Sequence, residues 1–277
     1  MAYSDTEISK LEDIARDLRI NTLEMINRRG AGHPGGSLSC AEIITTLYFK
    51  IMNIYPDKPE DPDRDRFILS KGHASAILYA ALARRGFFAG EDLKEWGKID
   101  CHLQGHPEKN KTPGIDMTTG ILGHGVSVGA GLALSAKLDN RDYQTYVLLG
   151  DGEIQGGIVW EGALMPSRFK LNNLTLILDY NGIQLDGFVN DIMPLEPLVE
   201  KWESFNYKVI EVDGHNIEEL LNAFDLAKNI HQPVMIIAYT TKGKGVSFME
   251  DRNEWHGMPP DEQQLQSAVK ELGGYKT

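Results

Sequence analysis

The sequence predicts an α/β protein built on a parallel sheet with helices on both faces, and two observations carry that prediction. From about residue 123 onward, short apolar runs ("YVLLG", "NLTLILDYN", "YKVIEV", "PVMIIAYT") alternate with helical segments. Unbroken apolar runs of this length suit strands covered on both faces. In addition, Asp151 and Asn181 close the first two of these runs with 29 residues between them, enough for one helical crossover between parallel strands.

Taken in order, residues 7–28 place Ile8, Leu11, Ile14, Ala15, Leu18, Leu23, Met25 and Ile26 at mostly helical spacing. Arg28-Arg29-Gly30 then supplies the cations and the glycine that stop a helix. "AGHPGGSLSC" reads as a Gly/Pro-rich loop, followed by a second helix from about Ser39 to Phe49 and a polar, Pro-rich connection, "YPDKPEDPDRDR". "RFILS" is a short buried strand, Lys71 to Arg85 an Ala-rich helix, and residues 98–120 a loop. "GHGVSVGAGLALSAKL" is a small-residue helix, and residues 155–170 and 194–205 are two more. The last helix, "NIEELLNAFDLAKN", opens on Asn216 with Glu219 three residues later, a capping pair. With no repeat and no convincing linker, residues 1–277 are expected to form a single domain with an elaborated N-terminal third.

The balance of charge narrows the function. The chain of 277 residues carries a net charge of -12, whereas a nucleic-acid or anionic-membrane surface needs a basic face. A local basic site for a small phosphate is compatible with that balance. Cys40 and Cys101 have no framework-like spacing and suggest a reducing compartment. The charged N-terminal segment lacks the apolar stretch of a secretory signal, and no run approaches the ~18 apolar residues of a membrane span. A cytoplasmic location is expected.

The chemistry gathers at "GDGEIQGGIVWEG", Gly150 to Gly162. Ligands of open parallel sheets bind beyond the carboxyl ends of the strands, where both Asp151 and Asn181 stand. A carboxylate, an amide oxygen and a nearby main-chain carbonyl make a hard oxygen site, which Mg²⁺ completes with phosphate oxygens and water. Gly150 and Gly152 would let a diphosphate approach the backbone, and the start of the next helix favours anions. The competing reading is that "GDG" is only a β-turn. Asn181 with its following glycine at the next strand end weighs against it.

At this point the chain resembles a known family. The segment from Gly150 through Asn181 resembles the GDG…N signature of thiamine-diphosphate enzymes. "GHPGGSLSCAEI", "RFILSKGHASAILYA", "QGHPE", "PGIDMTTGILGHGVSVGAGLALSAKL" and "KGKGVSFMEDRNEWHG" resemble transketolase-family segments in the right order, over nearly the full length. The resemblance is to the N-terminal half of those enzymes, in a form split between two chains. It implies a parallel-sheet thiamine-diphosphate-binding fold, the diphosphate-binding domain, with thiamine diphosphate and Mg²⁺ (or Ca²⁺) as cofactors. Asp151, Asn181 and the main-chain carbonyl of Ile183 would hold the metal. Gly150, Gly152 and Glu153, together with Gly120 and Leu122 of "TGILGHG", would border the diphosphate and thiazolium. Lys242 could reach a phosphate, although a solvated loop lysine is an equally good reading of "TKGKG".

Four of the eight histidines, His33, His73, His106 and His256, sit in Gly- or Pro-rich contexts that bring backbone close to a ligand. A lone loop histidine is usually a surface residue. In the family, the matching histidines line the substrate channel, bind sugar hydroxyls and assist proton transfer, roles that suit imidazole near neutral pH. His73 would also touch the cofactor. His124, His102, His215 and His231 are weaker candidates.

The implied activity is transfer of a two-carbon ketol unit from a ketose (phosphate) to an aldose (phosphate). It would need a separate C-terminal subunit carrying the pyrimidine domain and its activating glutamate, in an α₂β₂ heterotetramer. Alternatives are a subunit of a deoxyxylulose-phosphate synthase-like or 2-oxo-acid dehydrogenase-like enzyme, or a degenerate scaffold paralogue. The last is motivated by Gly156, where many family members carry a glutamate at a subunit contact.

Overall fold

The computed structural model describes residues 3–275. Five strands form one wholly parallel sheet in the order β1-β2-β3-β5-β4: β1 Arg66–Leu69, β2 Thr145–Gly150, β3 Leu174–Tyr180, β4 Lys208–Asp213 and β5 Val234–Tyr239. The helices are α1 (Asp5–Arg29), α2 (Pro34–Ser39), α3 (Ala41–Thr46), α4 (Ser75–Arg85), α5 (His124–Leu138), α6 (Gly157–Arg168), α7 (Val189–Ile192), α8 (Leu198–Ser204), α9 (Ile217–Ala227) and α10 (Glu262–Glu271).

Strand side chains alternate between two cores, as the two-residue strand period requires. Tyr146, Leu148, Ile177 and Ile236 face a layer built from α1, α3, α4 and α9. Val147, Leu149, Leu176, Leu178, Met235 and Ile237 face α5, α6 and α8. Both faces of the sheet are therefore covered, and the α/β class read from the sequence stands. No helix among the described residues is long and apolar enough to cross a membrane.

Several boundaries differ from the sequence reading, each for a local reason. "PGGSLS", expected as loop, is the helix α2, with Pro34 at its first position where the fixed φ of proline suits a helix start. Its first glycine is required by contact: a Cβ at Gly35 would lie 2.9 Å from both Lys242 Cγ and the Trp255 carbonyl. The helix expected from Ser39 is α3, which widens into a π-turn over Leu47–Ile51. α4 begins at Ser75, after a tight 3₁₀ turn over Gly72–Ala74. In α5, Gly129 is buried, with a Cβ there falling 2.4 Å from Val147 Cγ2, so the helix lies close on β2; Gly131 faces open space. α7 and α10 were not anticipated; α10 is opened by a capping box between Asp261 and Gln264.

Candidate active site

The site lies at the carboxyl end of the sheet because β2 and β3 are paired in register up to Gly150 and Asp179, so the residues just beyond them share one edge. Asp151 follows β2 and Asn181 follows β3. Asp151 is 3% exposed; its Oδ1 accepts from Gly152 N–H at 2.7 Å and its Oδ2 from Gly182 N–H at 2.6 Å, tying the two strand ends together. Burial, and then the neighbouring Asp179, push its carboxyl up to about 6. The Asn181 amide oxygen accepts from Ile183 N–H at 3.1 Å and retains a free lone pair. The Ile183 carbonyl accepts from Lys242 Nζ at 2.9 Å.

These atoms suit a hard divalent cation and a diphosphate. A buried carboxylate, an amide oxygen with a spare lone pair and a main-chain carbonyl are the donor types that a hard divalent cation takes. Lys242 is itself 1% exposed, and burial lowers its ammonium to about 8. Its place is thus in the site; the solvated-lysine alternative is corrected by its burial. Gly150, Gly152, Asn181, Ile183 and Lys242 line one cavity of about 200 Å³ with Leu122, Glu153, His73 and His256. Gly152 is needed there, since a Cβ would come within 2.9 Å of Gln184 Cβ.

Glu153 lines the same cavity, but its carboxylate is consumed by structure. It accepts from Gly123 N–H at 2.7 Å, from Gly150 N–H at 3.0 Å and from the Ser70 hydroxyl. Burial raises its pKa. The carboxylate therefore fixes the loop that carries Gly120 and Leu122 against the ends of β1 and β2. Gly120 itself turns at φ +152°, which glycine tolerates, beneath the His106 ring.

Three of the four favoured histidines meet as a cluster. Ring centroids are 5.2 Å apart for His33–His73, 5.5 Å for His33–His256 and 5.1 Å for His73–His256. Burial lowers all three: His73 well below its ordinary value, His33 below it, and His256 to about 3, with Lys242 adding to the last. Lys242 Nζ lies 2.9 Å from His256 Nδ1, so the ring accepts there and carries its proton on Nε2. His106 stands apart from the trio, more exposed, with its pKa lowered by burial and then by Arg29. The weaker candidates lie outside. His215 is structural, with Nδ1 3.0 Å from Glu42 and Nε2 accepting from Thr241 N–H at 2.8 Å. His102 meets Asp92 at 3.2 Å, and His124 and His231 are exposed.

Two residues escaped the sequence reading. Lys71 and Asp179 form a fully buried ion pair beneath the cavity. Burial disfavours both charges, yet each stabilises the other enough to raise the Lys71 pKa and lower that of Asp179. Lys71 also donates to the Gly36 carbonyl at 2.8 Å, and Asp179 accepts from Ser39 Oγ at 2.6 Å and from Thr240. The signal for Asp179 was its acid within an otherwise apolar strand; for Lys71 it was only its place directly after "RFILS".

A parallel sheet that gathers an oxygen ligand set, a buried lysine and neutral imidazoles at adjoining strand ends defines a diphosphate-binding catalytic module. The comparisons with known proteins narrow that class. The family pattern described as "Transketolase, thiamine diphosphate binding domain" matches residues 11–276. One of the apulose-4-phosphate transketolase subunits of Phocaeicola vulgatus is 41% identical over 267 residues, covering 96% of this chain and 95% of its own. The 6-deoxy-6-sulfo-D-fructose transketolase subunit SqwG of Clostridium sp. is 43% identical, covering 95% and 96%. Human transketolase is 40% identical, but this chain spans only 42% of its length. Among solved structures, the transketolase of Campylobacter jejuni superposes with a TM-score of 0.92 at 34% identity, covering 96% of this chain and 43% of that one. The chain belongs to the transketolase family, and it is the thiamine diphosphate binding domain of that family.

Proposed function

We propose that this chain is the diphosphate-binding subunit of a two-chain transketolase. It transfers a two-carbon ketol unit from a ketose (phosphate) to an aldose (phosphate) and works with a separate C-terminal subunit in an α₂β₂ heterotetramer in the cytoplasm. The observation that carries the proposal is the meeting of Asp151, Asn181 and Ile183 with His73 and His256 on one cavity, His33 packing against both of those rings. Relatives named as transketolase subunits match the chain over almost their whole length, which supports a two-chain assembly.

Within that reading, Asp151, Asn181 and the Ile183 carbonyl hold Mg²⁺ (or Ca²⁺), and Lys242 pairs with the diphosphate. Gly150 and Gly152 let the phosphates reach the backbone, while Leu122 covers the thiazolium side. Thiamine diphosphate, when bound, supplies the carbanion chemistry that splits and reforms the carbon–carbon bond. The protein's own part is to orient the sugar and manage its protons. His33, His73 and His256, whose partial burial favours the neutral ring, and the more exposed His106 can donate to or accept from sugar hydroxyls and the carbonyl oxygen. Residues 1–277 act as one domain in this scheme.

Reconstitution tests the proposal. Mixed with its partner subunit, thiamine diphosphate and Mg²⁺, the chain is expected to transfer the ketol unit of xylulose 5-phosphate to ribose 5-phosphate, and neither subunit to do so alone. Turnover by the single chain, or pyruvate decarboxylation in place of ketol transfer, would overturn it.

A further inference from the structure

We propose that His215 is a positioning residue for Lys242: its ring, oriented by Glu42, accepts the Thr241 N–H and so fixes the backbone from which the Lys242 ammonium reaches into the cavity. The inference rests on the reading of Lys242 as the partner of a diphosphate and adds the contact that aims it.

The segment after β5 has to leave the sheet and place one buried lysine beside Ile183 and His256. Its backbone N–H groups are held one after another. Thr240 N–H donates to the Tyr180 carbonyl at 3.1 Å, and Gly243 N–H donates to the Gly35 carbonyl at 3.0 Å. Between them, Thr241 N–H donates at 2.8 Å to a ring nitrogen, His215 Nε2. The residue directly before Lys242 is thus held by a side chain 26 positions away.

An imidazole can accept there only when its proton sits on the other nitrogen. Glu42 sets that tautomer: its Oε2 lies 3.0 Å from His215 Nδ1, which donates to it. Glu42 is buried, and Arg19 Nη1 and Nη2 reach its two oxygens at 2.5 and 2.7 Å. Burial works against the ionised carboxyl, yet Arg19 and then His215 outweigh it and hold it down to about 2. An ionised carboxylate at that point keeps the ring proton on Nδ1 and leaves Nε2 open to Thr241.

The connection that brings His215 in, between β4 and α9, is built for close approach. Gly214 N–H donates to the Tyr239 carbonyl at 2.8 Å. A Cβ at Gly214 would fall 2.4 Å from Thr240 Cγ2, so glycine lets this connection lie on the end of β5. The same arginine–carboxylate pair steadies the other wall of the lysine's slot. Arg19 Nε and Nη2 both donate to the Leu38 carbonyl of α2, at 3.1 and 3.0 Å. Gly35 of that helix backs onto the Lys242 stem, where a Cβ would lie 2.9 Å from Cγ and 3.1 Å from Cε. His215 does not line the cavity itself, so its effect on the site passes through the segment it holds.

The first test is a double-mutant cycle read by thiamine diphosphate affinity in the assembled enzyme with Mg²⁺. His215→Leu is expected to weaken binding about 3- to 10-fold, the worth of one neutral hydrogen bond. His215→Gln, whose amide can donate to Glu42 and accept from Thr241, is expected to recover most of that loss. Added to Lys242→Met, His215→Leu is expected to change the dissociation constant by less than about twofold, because the group it aims is gone. With Lys242→Met itself impaired, an equal loss in both backgrounds, or no loss from His215→Leu in the parent, overturns the proposal.

A second readout needs neither partner nor cofactor. Burial lowers the Lys242 ammonium to about 8, against an ordinary value of 10.5. Followed by NMR at its ε-carbon in the full ligand-free chain, the titration is expected to move toward the ordinary value in His215→Leu and to stay in place in His215→Gln. An unmoved titration in His215→Leu overturns the proposal. If Lys242→Met leaves thiamine diphosphate affinity unchanged, the diphosphate reading of Lys242 fails, and the titration still decides whether His215 positions that lysine.

Discussion

The ammonium of Lys242 donates to the main-chain carbonyl of Ile183 across 2.9 Å, so a lysine just beyond β5 holds the oxygen that the family resemblance proposes for a divalent cation. A metal on Asp151 and Asn181 would compete for that carbonyl and release the ammonium toward a diphosphate oxygen. Lys242→Met is therefore expected to weaken thiamine diphosphate binding in the presence of Mg²⁺ about 10- to 100-fold, the worth of one charged hydrogen bond of about 1.5–3 kcal/mol. Titration calorimetry on the assembled enzyme measures this. Undiminished affinity would remove Lys242 from the diphosphate site.

Asp151 is expected to cost the ligand-free chain stability. Its folded pKa of about 6 lies above the unfolded value of 3.8. Between those values the native state holds more protons than the unfolded one, so stability falls as pH rises from about 4 to 6 and stays reduced above. A shift of about two units corresponds to at most about 3 kcal/mol. Asp151→Asn should then remove the fall in stability of the ligand-free chain between about pH 4 and 6, whatever the lost acceptor for one of its two backbone N–H partners costs, while abolishing its stabilisation by thiamine diphosphate and Mg²⁺. A variant that keeps the parent's pH dependence in that window would contradict the argument. Asp179, one strand over, is equally buried yet has a lowered pKa, because Lys71 neutralises it.

The strands and their order of use were legible because "YVLL" and "LTLIL" have to be buried on both sides, and Asp151 and Asn181 mark where that burial ends. The histidine trio was legible only as four similar loop contexts; that His33, His73 and His256 touch while His106 stands aside follows from how α2 packs on the turns around Gly72 and Trp255, which no local pattern encodes. Lys71 and Asp179 were hidden for the same reason, since the two partners lie 108 residues apart. α10 is different: Asp261 and Gln264 spell a capping box, so its start is written in the local sequence.

The buried histidines set an acid limit. His256 has a folded pKa of about 3, and His73 is also well below its ordinary 6.5. Below pH 6.5 the unfolded chain takes up protons that these folded rings refuse, so stability present above that pH is lost progressively as pH falls toward 3. The expected signature is histidine ring resonances for His73 and His256 that remain neutral from pH 8 to 5 in the folded chain. Either ring titrating near 6.5 would show that it is solvated and would remove the basis for a neutral proton-transfer pair.

Gly156 stands where the family resemblance leads one to expect a glutamate, and the fold around it tells whether glycine is needed there. Its backbone is ordinary, φ -73° and ψ 130°, at the residue preceding α6. It is exposed, and the nearest atom to an added Cβ is the Glu153 carbonyl at 3.3 Å, so nothing in the fold demands glycine there. Leaving glycine also removes unfolded-chain entropy, worth about 0.4–1 kcal/mol where the conformation is compatible. In the same part of the fold, α6 and the loop before α5 expose Ile121 at 73%, Leu122 at 43% and Leu164 at 63%, apolar side chains available to a subunit contact. Gly156→Glu is therefore expected to leave the unfolding free energy of the isolated chain within about 1 kcal/mol. In the assembled enzyme it should alter the subunit dissociation constant or the affinity for thiamine diphosphate. Sedimentation equilibrium and calorimetry on parent and variant decide the matter: if both quantities are unchanged, position 156 is remote from any subunit contact and its glycine has no functional consequence.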